Sequence, residues 1–281
     1  MSIEMLLFLN RFFPLPRHPF NLETSGHESY AEWQFTMGEK TVQFFLDYTS
    51  IEDMFSRRRV LDVGSGAGGK TCYYASRGAD EVWGVDAVEA YRHQATSFAR
   101  AKGLDEIVRF TTADASDLPF EDGYFDTVIM NDTFEHLAHP EEVLDECRRV
   151  LAEGGRIFIN FPPYYHPYGA HLTDVIGIPW VHVFFSEKTM VRAYRRLVRG
   201  LPDEEHRLAL RFGSPDSDTL AYLNGMTAAR FRRIIGRSGL RILHHREYPL
   251  RRILSPLAHI PGLREGFLRM VVGVLSHPEN P

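Results

Sequence analysis

The chain has 281 residues, 44% of them hydrophobic and 25% charged, with a net charge of −5. This is the usage of soluble globular domains; it excludes a disordered, collagen-like or disulfide-stapled chain, and the length suits one large domain or two small ones. The charge is uneven: residues 1–186 hold 15 Lys and Arg against 28 Asp and Glu, while residues 187–281 hold 17 against 9, Lys188 being the only lysine among them. The acidic whole excludes a generally basic nucleic-acid binder, whereas an Arg-rich last third can meet an anionic substrate or surface.

Cys72 and Cys147 lie far apart with no metal-ligand spacing, which points to a reducing compartment and no structural metal. The apolar start, Ile3 to Leu9, is too short to cross a bilayer and lacks the flanks of a signal peptide, so the cytoplasm is the expected location.

In chain order, residues 1–55 mix aromatics and turns and then give a helical pattern over 37–48. From 59 to 161, short runs rich in Val, Ile or Phe alternate with helical patterns. The runs are 60–63, 82–86, 107–113, 125–130 and 156–161. The helices are 88–102, stopped by Gly103, and 140–152, opened by Pro140 with Glu141 and Glu142 and closed by Gly154-Gly155. Such alternation predicts a parallel, doubly wound α/β sheet. Residues 162–186 read as loop, 187–199 and 227–238 as helices, and Arg241–Tyr248 and Met270–Leu275 as strands. Residues 249–269 carry apolar side chains at helical intervals, broken by Pro256 and Pro261.

The chemistry concentrates in Val60-Leu61-Asp62-Val63-Gly64-Ser65-Gly66-Ala67-Gly68-Gly69, where a strand ends and a helix begins. Glycines let the backbone turn sharply and let a ligand approach closely. Gly64, Gly66 and Gly69 also satisfy a dinucleotide fingerprint. Asp62 argues against a pyrophosphate, which it would repel, and for an ammonium or sulfonium-bearing ligand. Asp86 closes the next strand about 20 residues on, where a carboxylate can accept from both hydroxyls of a ribose. Asp114 follows the third strand and can take a proton from an exocyclic amine.

These residues resemble the class I S-adenosylmethionine (SAM) methyltransferases, most of all the branch acting on small molecules. The matching pieces are VLDVGSGAGG (60–69), GVDAV (84–88), ADASDLPFEDGYFDTVIMNDTFEHL (113–137) and LDECRRVLAEGGRIFINF (144–161), within residues 58–162. The resemblance implies a mostly parallel seven-stranded sheet with an antiparallel last strand, and SAM as cofactor, leaving S-adenosylhomocysteine. It places Asp62, Gly64, Ser65, Gly66 and Gly68 at the methionine part and the loop, Asp86 and Ala87 at the ribose, Asp114 and Ala115 at the adenine, and Asn131 beside the sulfur. Phe161-Pro162-Pro163-Tyr164 departs from the motif that serves methylation of nucleic-acid bases, since it follows the fifth strand and starts with Phe.

His136, after the fourth strand, is the candidate base; the plainer role is to shape the cofactor pocket. Tyr164, Tyr165, His166 and His171, after the fifth strand, are candidate acceptor-binding residues, with a packed surface loop as the alternative. His182 and Trp180 are weaker candidates. His136 with His139, and His166 with His171, lack a completing carboxylate set, so no metal is expected.

The expected organisation is an N-terminal helical cap segment (1–55), a SAM-binding α/β core (56–163), an insertion or lid over the acceptor (164–225) and a C-terminal part completing the sheet (226–281). Tyr30, Trp33 and Phe35 are expected to close over the cofactor or to pack the domain edge. The expected function is SAM-dependent methylation of a small-molecule acceptor. The alternatives are a lipid-like or lipid-linked acceptor at a membrane surface, met through the Arg-rich last third and its Arg251, Arg252, Arg264 and Arg269, and a SAM-binding protein without catalysis. A nucleic-acid acceptor and a nicotinamide oxidoreductase rank below these; no dedicated nucleic-acid module is present.

Overall fold

The computed structural model describes residues 2–16, 29–212, 217–251, 256, 258, 260 and 262–278. The elements in order are α1 (Ile3–Asn10), α2 (Tyr30–Thr36), α3 (Gly38–Val42), α4 (Ile51–Phe55), β1 (Arg59–Val63), α5 (Gly69–Ala75), β2 (Glu81–Asp86), α6 (Glu89–Ala101), β3 (Val108–Thr112), β4 (Phe125–Asn131), α7 (Pro140–Val150), β5 (Leu151–Phe161), α8 (Val181–Phe184), α9 (Glu187–Val198), α10 (Glu204–Phe212), α11 (Ala228–Arg237), β6 (Arg241–Pro249) and β7 (Leu268–Ser276). The seven strands form one sheet in the order β3-β2-β1-β4-β5-β7-β6. β1 to β5 pair in parallel, and β7 runs antiparallel to β5. The strand order reverses at β1 and β4, and a doubly wound sheet opens its ligand crevice beyond the carboxyl ends of the strands at such a point.

The central strands read as unbroken apolar runs because helices cover both faces of a parallel sheet. Val60, Leu61, Val63, Val128, Ile129, Ile157 and Ile159 are fully buried. Asp62, inside β1 and opposite Gly84, is a carboxylate buried among them. At the other end of the sheet, Phe231 of α11 meets the rings of Phe134 and Phe161 at 5.3 and 5.2 Å. It presses so closely on Gly273 of β7 that a Cβ there would lie 2.8 Å from its ring.

Two boundaries differ from the sequence pattern. The helix expected to run to 152 ends at Val150, and β5 begins at once, because Leu151 pairs with Phe125 and the register then shifts before Thr127 meets Arg156. Gly154-Gly155 therefore lies within the strand as an irregularity instead of stopping the helix. The helix expected over 37–48 breaks after Val42 into a 3-10 turn, Gln43–Phe45. Of the helical pattern over 249–269, the described residues include a 3-10 turn, Arg264–Phe267; Arg252 lies outside the described residues.

The chain divides into two compact units. One comprises residues 26–161, 229–247 and 271–281, and the other 1–25, 162–228 and 248–270. Residues 26–55 thus join the sheet unit, and residues 1–25 join the insertion. In the second unit α1 packs on α9, around Leu6, Ile176, Val191, Tyr194, Val198 and Phe212. Asp174, fully buried there, accepts from the Tyr194 hydroxyl at 2.6 Å and from Arg207 at 2.9 Å, with Arg211 at 3.5 Å.

Truncating Phe231 leaves a void where α11, β5 and β7 converge. Phe231→Ala is expected to destabilise the fold by about 3–5 kcal/mol, read as a lower urea midpoint with an unchanged slope.

Candidate functional site

The crevice is built on β1. Gly64, Gly66 and Gly68 all have positive φ, at 79, 50 and 82°. The turn is fixed by Gly64 N–H and Ser65 N–H, both donating to the Val85 carbonyl, at 2.8 and 3.0 Å. Gly68 opens α5, and a Cβ there would lie 2.6 Å from Ala95 Cβ and 2.8 Å from the Phe110 ring, so close packing and left-handed backbone both require glycine. Gly66 differs: nothing lies within 4 Å of where its Cβ would be. Packing leaves that space open beside the backbone.

Asp62 sits beneath this turn and accepts from the Thr71 hydroxyl at 2.6 Å. Burial pushes its carboxyl up to about 6, against the lowering influence of Thr71 and of the nearby Lys70. Asp86, at the end of β2, accepts from Gly66 N–H at 2.9 Å and from Val88 N–H at 3.0 Å, one bond on each oxygen. Burial raises its carboxyl above the ordinary range in spite of these bonds. A carboxylate has about four lone-pair sites, so each oxygen can accept again. Ala87 beside it is exposed.

Asp114 accepts from the Ser116 amide and hydroxyl at 2.9 and 2.8 Å, both on Oδ1, and these bonds hold its carboxyl below the usual range. It therefore caps the turn that contains the half-buried Ala115, and Oδ2 is the oxygen left for an amine. Asn131, at the end of β4, is buried; its amide donates to the Tyr74 hydroxyl at 3.3 Å and accepts from Lys70 Nζ at 3.3 Å. Lys70 also bonds the Asn131 carbonyl at 2.8 Å and Asp132 at 3.0 Å, tying α5 to the end of β4.

Beyond Asn131 the chain makes a 3-10 turn, Phe134–His136. His136 is half-buried, with Nε2 3.7 Å from Glu135 Oε1. Glu135 is fully buried, and neither of its oxygens has a hydrogen-bond partner. Burial, then the neighbouring Asp132 carboxylate, hold Glu135 well above the usual carboxylate range.

On the other side of the glycine turn, α2 lies against α5, since a Cβ on Gly69 would come 2.2 Å from the Ala31 carbonyl and 2.6 Å from Gln34 Cβ. Gln34 Oε1 and Trp33 Nε1 are buried without partners. Tyr30 stacks on Trp33 at 6.1 Å. Phe35 instead faces α6, edge-on to Phe98 at 6.0 Å and under Lys102.

Ten expected residues (Asp62, Gly64, Ser65, Gly66, Gly68, Asp86, Ala87, Asp114, Ala115 and Asn131), together with His136, thus lie at or just beyond the carboxyl ends of β1 to β4. The expected acceptor residues form a group in the second unit. Tyr164 meets the rings of Tyr165 and His182 at 5.3 and 4.9 Å, and its amide donates to the Met226 carbonyl at 2.7 Å. His166 accepts from Tyr168 N–H through Nδ1 at 3.1 Å, and burial lowers its imidazole to about 4, so it is neutral at neutral pH. His171 has a left-handed backbone, φ 52°, and its Nδ1 lies 2.9 Å from the Tyr222 hydroxyl.

The sequence pattern did not single out Thr71, Lys70, Glu135 or Gln34. Lys70 directly follows the glycine run, a signal that was available. The others depend on which neighbours tertiary packing supplies.

Residues 61–159 match a family model described as a methyltransferase domain. This stretch is similar to that domain family. The chloroplastic tocopherol O-methyltransferase of Arabidopsis thaliana is 36% identical over 144 residues, covering 51% of this chain and 40% of that protein. The demethylmenaquinone methyltransferase of Thermus thermophilus is 41% identical over 108 residues, covering 38% and 48%. The chain thus spans less than half the length of these curated relatives. Geranyl diphosphate methyltransferase, solved in complex with SAM, superposes with a TM-score of 0.54 at 17% identity, over 90% of this chain and 92% of that one, and shares the fold of the methyltransferase domain.

The buried Asp62 carboxyl gives a signed expectation. Its folded value, about 6, lies above the ordinary carboxyl value of 3.8, so this group's contribution to stability is fully present below the lower value and is lost as pH rises through the upper one. Asp62→Asn, without ligand, is therefore expected to gain stability relative to wild type between pH 4 and pH 7, read from paired thermal melts. A gap that does not change with pH would contradict it.

Proposed function

We propose that the protein is a SAM-dependent methyltransferase acting on a small-molecule acceptor. The observation that carries this is the open space at Gly66, whose N–H donates to the half-buried Asp86, on a glycine turn that follows the buried Asp62. The space fits a ligand that approaches the backbone closely, and its carboxylate acceptors fit the donors of SAM. The Asp62 carboxylate suits the ammonium of the methionine part, and the two Asp86 oxygens suit a pair of ribose hydroxyls. Asp114 Oδ2 suits the adenine amine. The orphaned Gln34 Oε1 and Trp33 Nε1 offer an acceptor and a donor at the α2 side. A pyrophosphate would meet Asp62 unfavourably, which disfavours a nicotinamide cofactor.

SAM bound here supplies a methyl group already activated by the sulfonium charge. The remaining work is orientation and exclusion of water, for which good alignment is worth roughly 7–11 kcal/mol. Lys70, by tying α5 to Asn131 and Asp132, fixes the two sides of the crevice relative to each other. Where the acceptor is a hydroxyl, we assign His136 to receive its proton on an imidazole nitrogen. Glu135, with Oε1 3.7 Å from His136 Nε2, would offset the resulting charge by giving up its own proton. Tyr164, Tyr165, His166 and His171 are assigned to the acceptor; His166, neutral and bonded through Nδ1, would position it and not exchange protons.

The relatives named above act, by their names, on tocopherol and demethylmenaquinone, and these names support a small-molecule acceptor for this chain as well. Among the described residues no helix is long and apolar enough to cross a membrane.

Calorimetric titration with SAM and S-adenosylhomocysteine tests the reading. Wild type is expected to bind both and not to bind NADH; tight NADH binding would reverse the assignment. Asp86→Ala is expected to weaken binding about tenfold or more, since hydrogen bonds to charged groups contribute about 1.5–3 kcal/mol.

Gly66→Ala separates ligand space from packing. It should cost the apo fold only roughly 1–2 kcal/mol of backbone strain and abolish SAM binding. Retained affinity in that variant would remove the crevice as the site.

A further inference from the structure

In the second unit α1 is apolar on two opposite faces. Leu6 is fully buried against α9, with Ile3 and Leu7 partly buried on the same side. Met5, Phe8 and Phe12, spaced three and four residues apart, point away. Phe8 and Phe12 are 57% and 68% exposed, with their rings 5.3 Å apart. An apolar helix face belongs in an apolar environment, and this second face is exposed among the described residues. The chain beyond it continues the pattern with the exposed Phe13 and Leu15. Val183 and Phe184 of α8, which also packs on α9, are exposed as well. Scattered exposed apolar residues are ordinary; two paired aromatic rings exposed on one helix face form a ridge that marks an interaction surface.

The charge beside this ridge selects the occupant. Arg11 follows α1, and the α9 region exposes Lys188, Arg192, Arg196 and Arg199. Against these five stand Glu4, bonded to Arg196, Glu187, and Asp218, which pairs with Lys188 and Arg192. An aromatic ridge flanked by an excess of arginine is what an anionic bilayer surface recognises: rings enter the acyl boundary while guanidinium groups meet phosphate headgroups. A second copy of the chain would bring the same positive charge to the contact and repel it.

We propose that the exposed face of α1, with the arginines of α9, docks the protein on an anionic lipid surface. The inference stands apart from the methyl-transfer reading. If both hold, the docked enzyme reaches acceptors dissolved in the lipid phase.

The test is co-sedimentation of the full chain with vesicles of phosphatidylcholine alone or mixed equally with phosphatidylglycerol, at low and high salt. Wild type should bind the mixed vesicles, bind neutral ones less, and be released by salt. Phe8→Ser/Phe12→Ser should lose roughly tenfold or more of that binding while keeping its melting temperature and its SAM affinity. Four results would overturn the proposal: wild type that does not bind mixed vesicles; a double variant that binds as well as wild type; a double variant that melts earlier, which would place the face inside the fold; or a wild-type dimer by light scattering that the double variant abolishes, which would make the occupant a second copy. Loss of SAM binding in wild type would strike the enzymatic reading and leave this one untouched.

Discussion

The buried carboxylate of Asp62 is the constraint around which the sheet unit is arranged. A charge inside a parallel strand is costly unless something compensates it. Here the Thr71 hydroxyl, one turn into α5, provides a direct bond, and Lys70 lies close enough to favour the ionised form. That compensation is partial, since the carboxyl still titrates far above its ordinary range. On the proposed reading, a cation arriving over the glycine turn would complete that balance, so binding free energy would be drawn from a cost the apo fold already carries.

The glycine turn and the Lys70 strap both act at the end of this first strand. Gly64 and Ser65 anchor to β2 through Val85; Lys70 ties α5 to β4; Asp86 holds the Gly66 amide from the neighbouring strand. Three strands thereby control the position of one loop, and the loop can stay rigid although every glycine in it is conformationally permissive. Preorganisation of this kind is what an in-line displacement between two bound molecules requires.

Much of this was legible in the sequence because local rules and tertiary demands agree there. The strand runs, the strand-end acids Asp62 and Asp86, and the glycine turn follow from spacing, and their placement in the structure keeps that spacing. The failures have physical causes. The boundary at 150–156 was misread because Gly154-Gly155 looks like a helix stop, whereas pairing of Leu151 with Phe125 claims those residues for β5. Glu135 carries no mark of burial in the sequence, yet it is fully buried; its neighbour Phe134 packs against Phe231 of α11, more than ninety positions away. Arg207 and Arg211 of α10 look solvent-facing, yet both are buried because Asp174, equally unremarkable in sequence, lies among them. Buried charge networks cannot be read from periodicity, since each member alone resembles an exposed residue.

The position of β7 has a consequence for how the chain is made. It lies between β5 and β6 although it follows both in sequence. During synthesis the β5 edge therefore emerges long before its permanent neighbour, and more than a hundred residues of insertion, helix and strand leave the ribosome first. An unpaired apolar edge held open for that time invites association with other nascent chains. Ribosomes stalled between β6 and β7 should accumulate a chaperone-dependent, protease-sensitive species, and the passage to resistance should be abrupt once the inner strand can slot into place.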